Sequence, residues 1–426
     1  MMIKNLFRNC FSIFIAIFMI SCNTDQENIE MSDVEKPTTP INLVSSEITK
    51  NSFQVAWKAS TDNVAVKEYT IYLDNVKFTT TKTKYTFEGL KVDTSYNIYI
   101  EANDAAGNTS KSSSILTVKT LIPKVDIYVS GNSKYLKNGV IYELESVSGF
   151  SSSGNLINVS EGNVYSAGSI DRTSQQIAAF WKNGKINLLE PSNSTFFSTA
   201  EDMAVLGNDV YVSGSITQYS PFNYYYKCYW KNGVKTILEG SNYNGSYSQP
   251  AKSVMKIAKG DVYIASQNYK NIYNPVFWKN GVMESLSFSL PINSVDINCI
   301  DVENGDVYIG GLALDVSNTQ IGFYWKNKVF HKVDGCQQVS AIDVVGSDVY
   351  IGGRTNSGTL AYWKNGIKTD IPFGTSIVNI QVVNNDVYAA AQQSTEAGTT
   401  NRIYKNGIQI YTTSNMGYSR VFAVEQ

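Results

Sequence analysis

Asp209-Val210-Tyr211-Val212-Ser213-Gly214 and, further along, Tyr229-Trp230-Lys231-Asn232-Gly233 are one copy of a pair of phrases that recurs through residues 125–426. Trp-Lys-Asn-Gly begins at Trp181, Trp230, Trp278 and Trp363, with variants at Leu136, Trp325 and Tyr404; successive copies lie 45, 49, 48, 47, 38 and 41 residues apart. Asp-Val-Tyr begins at Asp209, Asp261, Asp306, Asp348 and Asp386, with variants at Asp126 and Asn163, and alternates with the first phrase. The apolar and aromatic residues around both phrases alternate with period two, which predicts strands. Asn-Gly suits a two-residue hairpin turn whose central residues take positive φ.

An alternating apolar strand precedes each later Asp-Val-Tyr, as at Met203 and Val205 or Ile300 and Val302. The first phrase, at Asp126, lacks one. Its missing strand is found at the other end of the chain, in Val421-Phe422-Ala423-Val424. Four strands per unit, seven units and a shared first sheet predict a seven-bladed β-propeller over 125–426, closed by the C-terminal strand. Closure would remove the sheet edge that an open array exposes. The pairs Gly310-Gly311 and Gly352-Gly353 followed by Trp resemble kelch blades, although other repeats lack the double glycine.

In such a fold the tight turns fall on one face and the longer connections on the other, where binding residues are expected. The candidates there are Phe196, Tyr219, Phe222, Tyr224, Tyr243, Tyr247, Tyr269 and Tyr273, aromatics interleaved with Asn, Ser and Gln that could stack on a sugar ring or a peptide side chain. The seven Lys of the turns and the Asp residues of the other phrase are expected to form a solvated rim. Trp181, Trp230, Trp278, Trp325 and Trp363 recur at one place in the repeat and are expected in the core. Cys228, Cys299 and Cys336 read as buried small hydrophobes.

Residues 37–120 carry short alternating strands at roughly ten-residue spacing, the pattern of a sandwich. The stretch resembles a fibronectin type III module at Pro40-Ile41-Asn42-Leu43, Trp57, Tyr69, the Leu90 to Tyr96 corner and Ala102-Asn103-Asp104-Ala105-Ala106-Gly107-Asn108. Asp62, Asn63, Asp104 and Asn108 lie in its loops and are expected to make turn hydrogen bonds, with no metal site.

At the N-terminus, Lys4 and Arg8 precede the apolar run from Phe11 to Ile20, too short for the roughly 20 residues that span a bilayer. The run ends Met19-Ile20-Ser21-Cys22, which resembles a bacterial lipobox and implies export over residues 1–22 and a lipid on Cys22. Residues 23–36 hold five carboxylates against one Lys and read as an acidic tether. Asp25 and Glu27 resemble the surface-export signals of Bacteroidetes lipoproteins. The expected address is therefore the outer membrane, at the cell surface or on the periplasmic side.

Composition narrows the function. The 35 basic and 37 acidic residues give a net charge of −2, which is no footprint for nucleic acid. A single histidine, His331, argues against zinc chemistry of the usual kinds. No cofactor is implied. The sequence thus points to an all-β, lipid-anchored, non-enzymatic protein that binds a glycan or a protein. The alternative is a propeller glycoside hydrolase or polysaccharide lyase, whose carboxylates would come from Asp171, Glu190, Asp315 or Glu396.

Overall fold

The computed structural model describes residues 33–122, 124–173, 175–191, 197–218, 224–244, 252–268, 271–396, 398–414 and 421–425. All its regular elements are strands. The chain divides into two compact units, Met1–Pro123 and Lys124–Gln426.

In the first unit, Ile41–Ser46, Phe53–Lys58 and Lys84–Phe87 form one antiparallel sheet. Val76–Thr80, Val66–Leu73, Ser95–Asp104 and Leu116–Lys119 form the other. Alternation along the strands turns Phe53, Val55 and Trp57 of one sheet toward Ile71, Ile98 and Ile100 of the other, and these make a single buried core. The Tyr96 hydroxyl accepts the Lys91 N–H at 2.8 Å, which pins the corner between the sheets.

The second unit holds seven antiparallel sheets in chain order, each with its strands in sequence from first to fourth. The second sheet, for example, is Ser151–Ser160, Asn163–Arg172, Gln175–Lys182 and Lys185–Leu188. The first sheet is the exception, because Val421–Glu425 supplies its opening strand and pairs antiparallel with Val125–Gly131, Val421 opposite Val129 and Glu425 opposite Val125. First strands of consecutive sheets pack on one another. The last of them, Ser376–Val383, packs on Val421–Glu425, which packs on Ser151–Ser160, so the circuit of contacts returns to its start. A narrow cavity of about 190 Å³ touches all seven first strands, among others at Asn158, Met203, Met255, Ile300, Ile342, Ile380 and Phe422.

The two recurring phrases prove to be one device. In the third sheet the Asn232 side chain accepts the Val210 N–H at 2.8 Å and donates to Asp209 Oδ1 at 2.8 Å. Lys231 Nζ reaches Asp209 Oδ2 at 2.9 Å and lies 5.1 Å from the centre of the Tyr211 ring. The same pairing recurs as Lys137–Asp126, Lys279–Asp261, Lys326–Asp306, Lys364–Asp348 and Lys405–Asp386. Six of the seven turn lysines are thus ion-paired at the partly exposed rim. In the second sheet Asn163 replaces the aspartate, and Lys182 keeps the tyrosine face, 5.4 Å from the Tyr165 centre, and donates to Asn208 Oδ1 at 3.5 Å instead. Positive φ at Asn232 (50°) and Gly233 (82°) shows why the turn needs this dipeptide.

The five tryptophans are at most 2% exposed. Each buries about 150–250 Å², equivalent to about 4–6 kcal/mol of apolar burial before entropy is counted. Several of their indole N–H groups tie neighbouring sheets together: Trp181 donates to the Glu145 carbonyl (2.8 Å), Trp278 to that of Glu239 (2.8 Å) and Trp230 to the Glu190 carboxylate (3.1 Å). These acceptors end a third recurring phrase, Leu144-Glu145, Leu189-Glu190 and Leu238-Glu239, whose leucines are buried. Cys228, Cys299 and Cys336 are buried thiols outside any disulfide.

Candidate functional site

A β-bulge inserts one extra residue into a strand and re-aims its side chain. In the third sheet the pairing jumps between Ala200 and Asp202, leaving Glu201 as the extra residue; the second sheet jumps likewise at Asn155. The bulged strands approach their partners so closely that a Cβ at Gly168 would lie 1.8 Å from the Ser153 carbonyl oxygen, and one at Gly214 1.8 Å from that of Thr199. Gly311 and Gly353, the second members of the double-glycine pairs, meet the same constraint against Asp296 and Gln338.

Between the second and third sheets these bulges border a cavity of about 690 Å³. Asp171, Arg172, Gln175 and Gln176 line it from the second sheet, Phe197, Thr199, Glu201, Ser215, Thr217 and Tyr225 from the third, and Lys252 from the segment leading into the fourth. Most are hydroxyl, amide or charged side chains. Thr199 and Ser215 share a hydroxyl hydrogen bond of 2.8 Å, and Ser169 donates to Asp171 Oδ2 at 2.8 Å.

Glu201 is anchored from three directions. It pairs with the Lys227 ammonium, which is wholly buried, and accepts the Ser253 N–H at 2.6 Å and the Ser253 hydroxyl at 2.7 Å. Burial pushes the Lys227 ammonium below the usual lysine range, with Glu201 opposing that shift. A carboxylate so engaged contributes shape and neutral polarity to the cavity floor, and is poorly placed to exchange a proton with a ligand.

The sequence candidates fall as follows. Phe196, Tyr219, Phe222, Tyr247 and Tyr269 lie outside the described residues, as does Cys22. Tyr224 opens the strand Tyr224–Lys231 rather than sitting in a loop, its ring centre 6.3 Å from that of Tyr226. Strand alternation therefore leaves Tyr225, on the opposite side, to line the cavity. Tyr243 lies in a fifth short strand, Tyr243–Asn244, paired with Tyr224–Lys231, and Tyr273 in Asn271–Lys279; neither is in a loop. A second strand ladder at these places satisfies backbone groups that the loop assignment left open. Among the carboxylates considered for catalysis, Glu190 is buried and bonded to Trp230 and, at 2.7 Å, to Lys235. Glu201 went unnoticed in the sequence, although an acidic residue interrupting the alternating run Thr199–Val205 was its visible mark.

The first unit has a separate polar cluster. Carboxylate oxygens of Asp33, Asp62 and Asp104 lie within 4.8 Å of one another, an arrangement that could take a cation. Asp62 Oδ2 accepts the N–H groups of Val64 and Ala65, and Asp104 Oδ1 those of Gly107 and Asn108, so the expected turn bonds are present. Burial works to raise the Asp104 carboxyl, but the hydrogen bonds led by Asn108 outweigh it and hold it below its ordinary value. Asp33, expected in the tether, is instead hydrogen-bonded to Asn63 at 3.0 Å.

Residues 35–119 match the fibronectin type III domain family, and this part of the chain is such a domain. It is 46% identical over 89 residues to Chitinase A1 of Niallia circulans, an overlap of 21% of this chain and 13% of that protein. The alpha-amylase of the same organism is 39% identical over 89 residues, 21% of this chain and 7% of that protein. The chain thus spans only a small part of the length of these relatives. Among solved structures, an auxiliary nutrient binding protein from Bacteroides thetaiotaomicron aligns over 84% of this chain and 95% of its own, at 10% identity and a TM-score of 0.31, too low to bear on function.

Proposed function

We propose that residues 125–426 form a seven-bladed β-propeller that binds a glycan, without altering it, in the cavity between its second and third blades. The cavity carries this reading: about 690 Å³ walled by hydroxyl and amide side chains, with the Phe197 and Tyr225 rings in its wall. The carboxylate at its floor is already engaged by Lys227 and Ser253, which favours holding a ligand over cleaving it. The closed circuit of first strands and the pairing of 421–425 with 125–131 support the propeller. We propose further that Cys22 is lipidated and tethers the chain at the outer membrane, the fibronectin type III domain acting as a spacer.

Binding of the chain lacking residues 1–22 to a broad glycan panel tests the cavity, repeated with Thr217→Trp, which fills it. Binding abolished by Thr217→Trp is expected. A panel with no binder, together with capture of a specific protein that Thr217→Trp leaves unchanged, overturns the glycan reading. Release of reducing ends from a bound polysaccharide overturns the non-catalytic one. Failure of Cys22→Ala to change palmitate incorporation overturns the anchor.

A further inference from the structure

The charges around the cavity are unequal in their freedom. Glu201 and Lys227 neutralise one another, the ammonium wholly buried and the carboxylate at the cavity wall. Asp171 is held by the Ser169 hydroxyl. Arg172 and Lys252 are both exposed and face no carboxylate among the described residues within ion-pair distance. Arg172 lies over the Phe150 ring, 4.8 Å from its centre. That contact restrains the guanidinium, whose N–H groups have no hydrogen-bond acceptor among the described residues and can meet a bidentate acceptor. Lys252 adjoins Ser253, whose backbone and hydroxyl are fastened to Glu201, so its backbone is held at the cavity wall. With Glu201 neutralised by Lys227, which lies outside the cavity lining, Asp171 is left against Arg172 and Lys252, one net positive charge in a protein whose net charge is −2.

Resting on the glycan reading above, we infer that the ligand is an acidic glycan, with a carboxylate or sulfate group bound by Arg172 and Lys252 while the amides and hydroxyls of Gln175, Gln176 and Thr217 bind its neutral hydroxyls. A fixed guanidinium recognises a planar carboxylate or a sulfate by two parallel hydrogen bonds, and a neutral sugar offers neither. The Asp171 carboxylate opposes an anion placed beside it and so favours one orientation of the sugar in the cavity.

Calorimetric titration of the chain lacking residues 1–22 with polygalacturonate, alginate and dextran sulfate, against methyl-esterified polygalacturonate and dextran, tests this. At least one acidic glycan is expected to bind tenfold or more tighter than its neutral counterpart and to weaken as salt rises. Arg172→Ala with Lys252→Ala is expected to abolish that preference, and both side chains are exposed enough that folding is retained. Equal affinity for charged and neutral glycans overturns the inference and leaves the glycan reading standing. An acidic preference that survives both substitutions overturns the assignment to these residues. Absence of binding to any glycan overturns both.

Discussion

Lys231 Nζ sits 2.9 Å from Asp209 Oδ2 while facing the Tyr211 ring, so the first residue of one recurring phrase and the second of the other close a single clasp across two strands. Tyr211 and Asp209 hold the Lys231 ammonium above its usual range, and Lys231 and Asn232 hold the Asp209 carboxyl below its own. Both charges remain half exposed, so the clasp fixes register more than it adds stability.

Asn232→Ala is expected to cost more than Lys231→Ala. The asparagine takes φ 50° and makes two side-chain hydrogen bonds, and an alanine there loses both and strains the turn by about 1–2 kcal/mol. Lys231→Ala loses only a screened pair, and its small effect shrinks further in salt. Urea denaturation of the two variants at low and high ionic strength checks the order; an equal loss contradicts it.

Breaking the pair between Glu201 and Lys227 leaves a largely buried charge without its partner. Glu201→Gln or Lys227→Met is expected to destabilise the second unit by about 3–5 kcal/mol. The double change Glu201→Leu with Lys227→Met restores much of that loss, because no charge is then buried. A double mutant as unstable as either single one refutes the account.

Asp343 lines the narrow central cavity, with Asp301, Lys256 and Glu303 as its charged neighbours. Burial and the Asp301 carboxylate push it up to about 7, while Asp301 itself pairs with Lys256 at 2.6 Å. A carboxyl raised on folding keeps its proton in the native state after the unfolded chain has lost it. Stability from this group is therefore greatest in acid and falls between about pH 4 and 7, by at most about 1.4 kcal/mol per pH unit. Asp343→Asn is expected to flatten that slope and to raise stability at pH 8. An unchanged pH profile in the variant rules the mechanism out.

Gly214→Ala is expected to displace the bulge that positions Glu201. The added Cβ would lie 1.8 Å from the Thr199 carbonyl, so the backbone must move, at a cost of about 2–3 kcal/mol. Gly233→Ala meets open space and is strained only by its φ of 82°. Any glycan affinity should fall in the first variant and persist in the second.

The repeat was legible because turn chemistry leaves few choices: the positive φ of Asn232 and Gly233 recurs at Asn280 and Gly281 and at Asn365 and Gly366. The fibronectin type III domain was legible from Trp57, Tyr69 and Tyr96, which make its core and corner. The cavity was not. A bulge adds one residue without altering composition, so Glu201 reads as an ordinary strand residue until its partners are known. Pointing direction depends on register, which is why Tyr225, rather than its neighbour Tyr224, lines the cavity. The Leu-Glu phrase was readable but lay across the boundary between repeats, where one unit's last strand supports the next unit's tryptophan.

Val125 stands opposite Glu425, so the two ends of the second unit's first sheet meet at the same end of one strand ladder. A pull applied between those two points opens that ladder one pair at a time, starting at Val125, instead of shearing all its hydrogen bonds together. Six of the seven sheets lie off the line of force. Under tension this unit yields first as an opening zipper at its seam, with the cavity between the second and third sheets still intact.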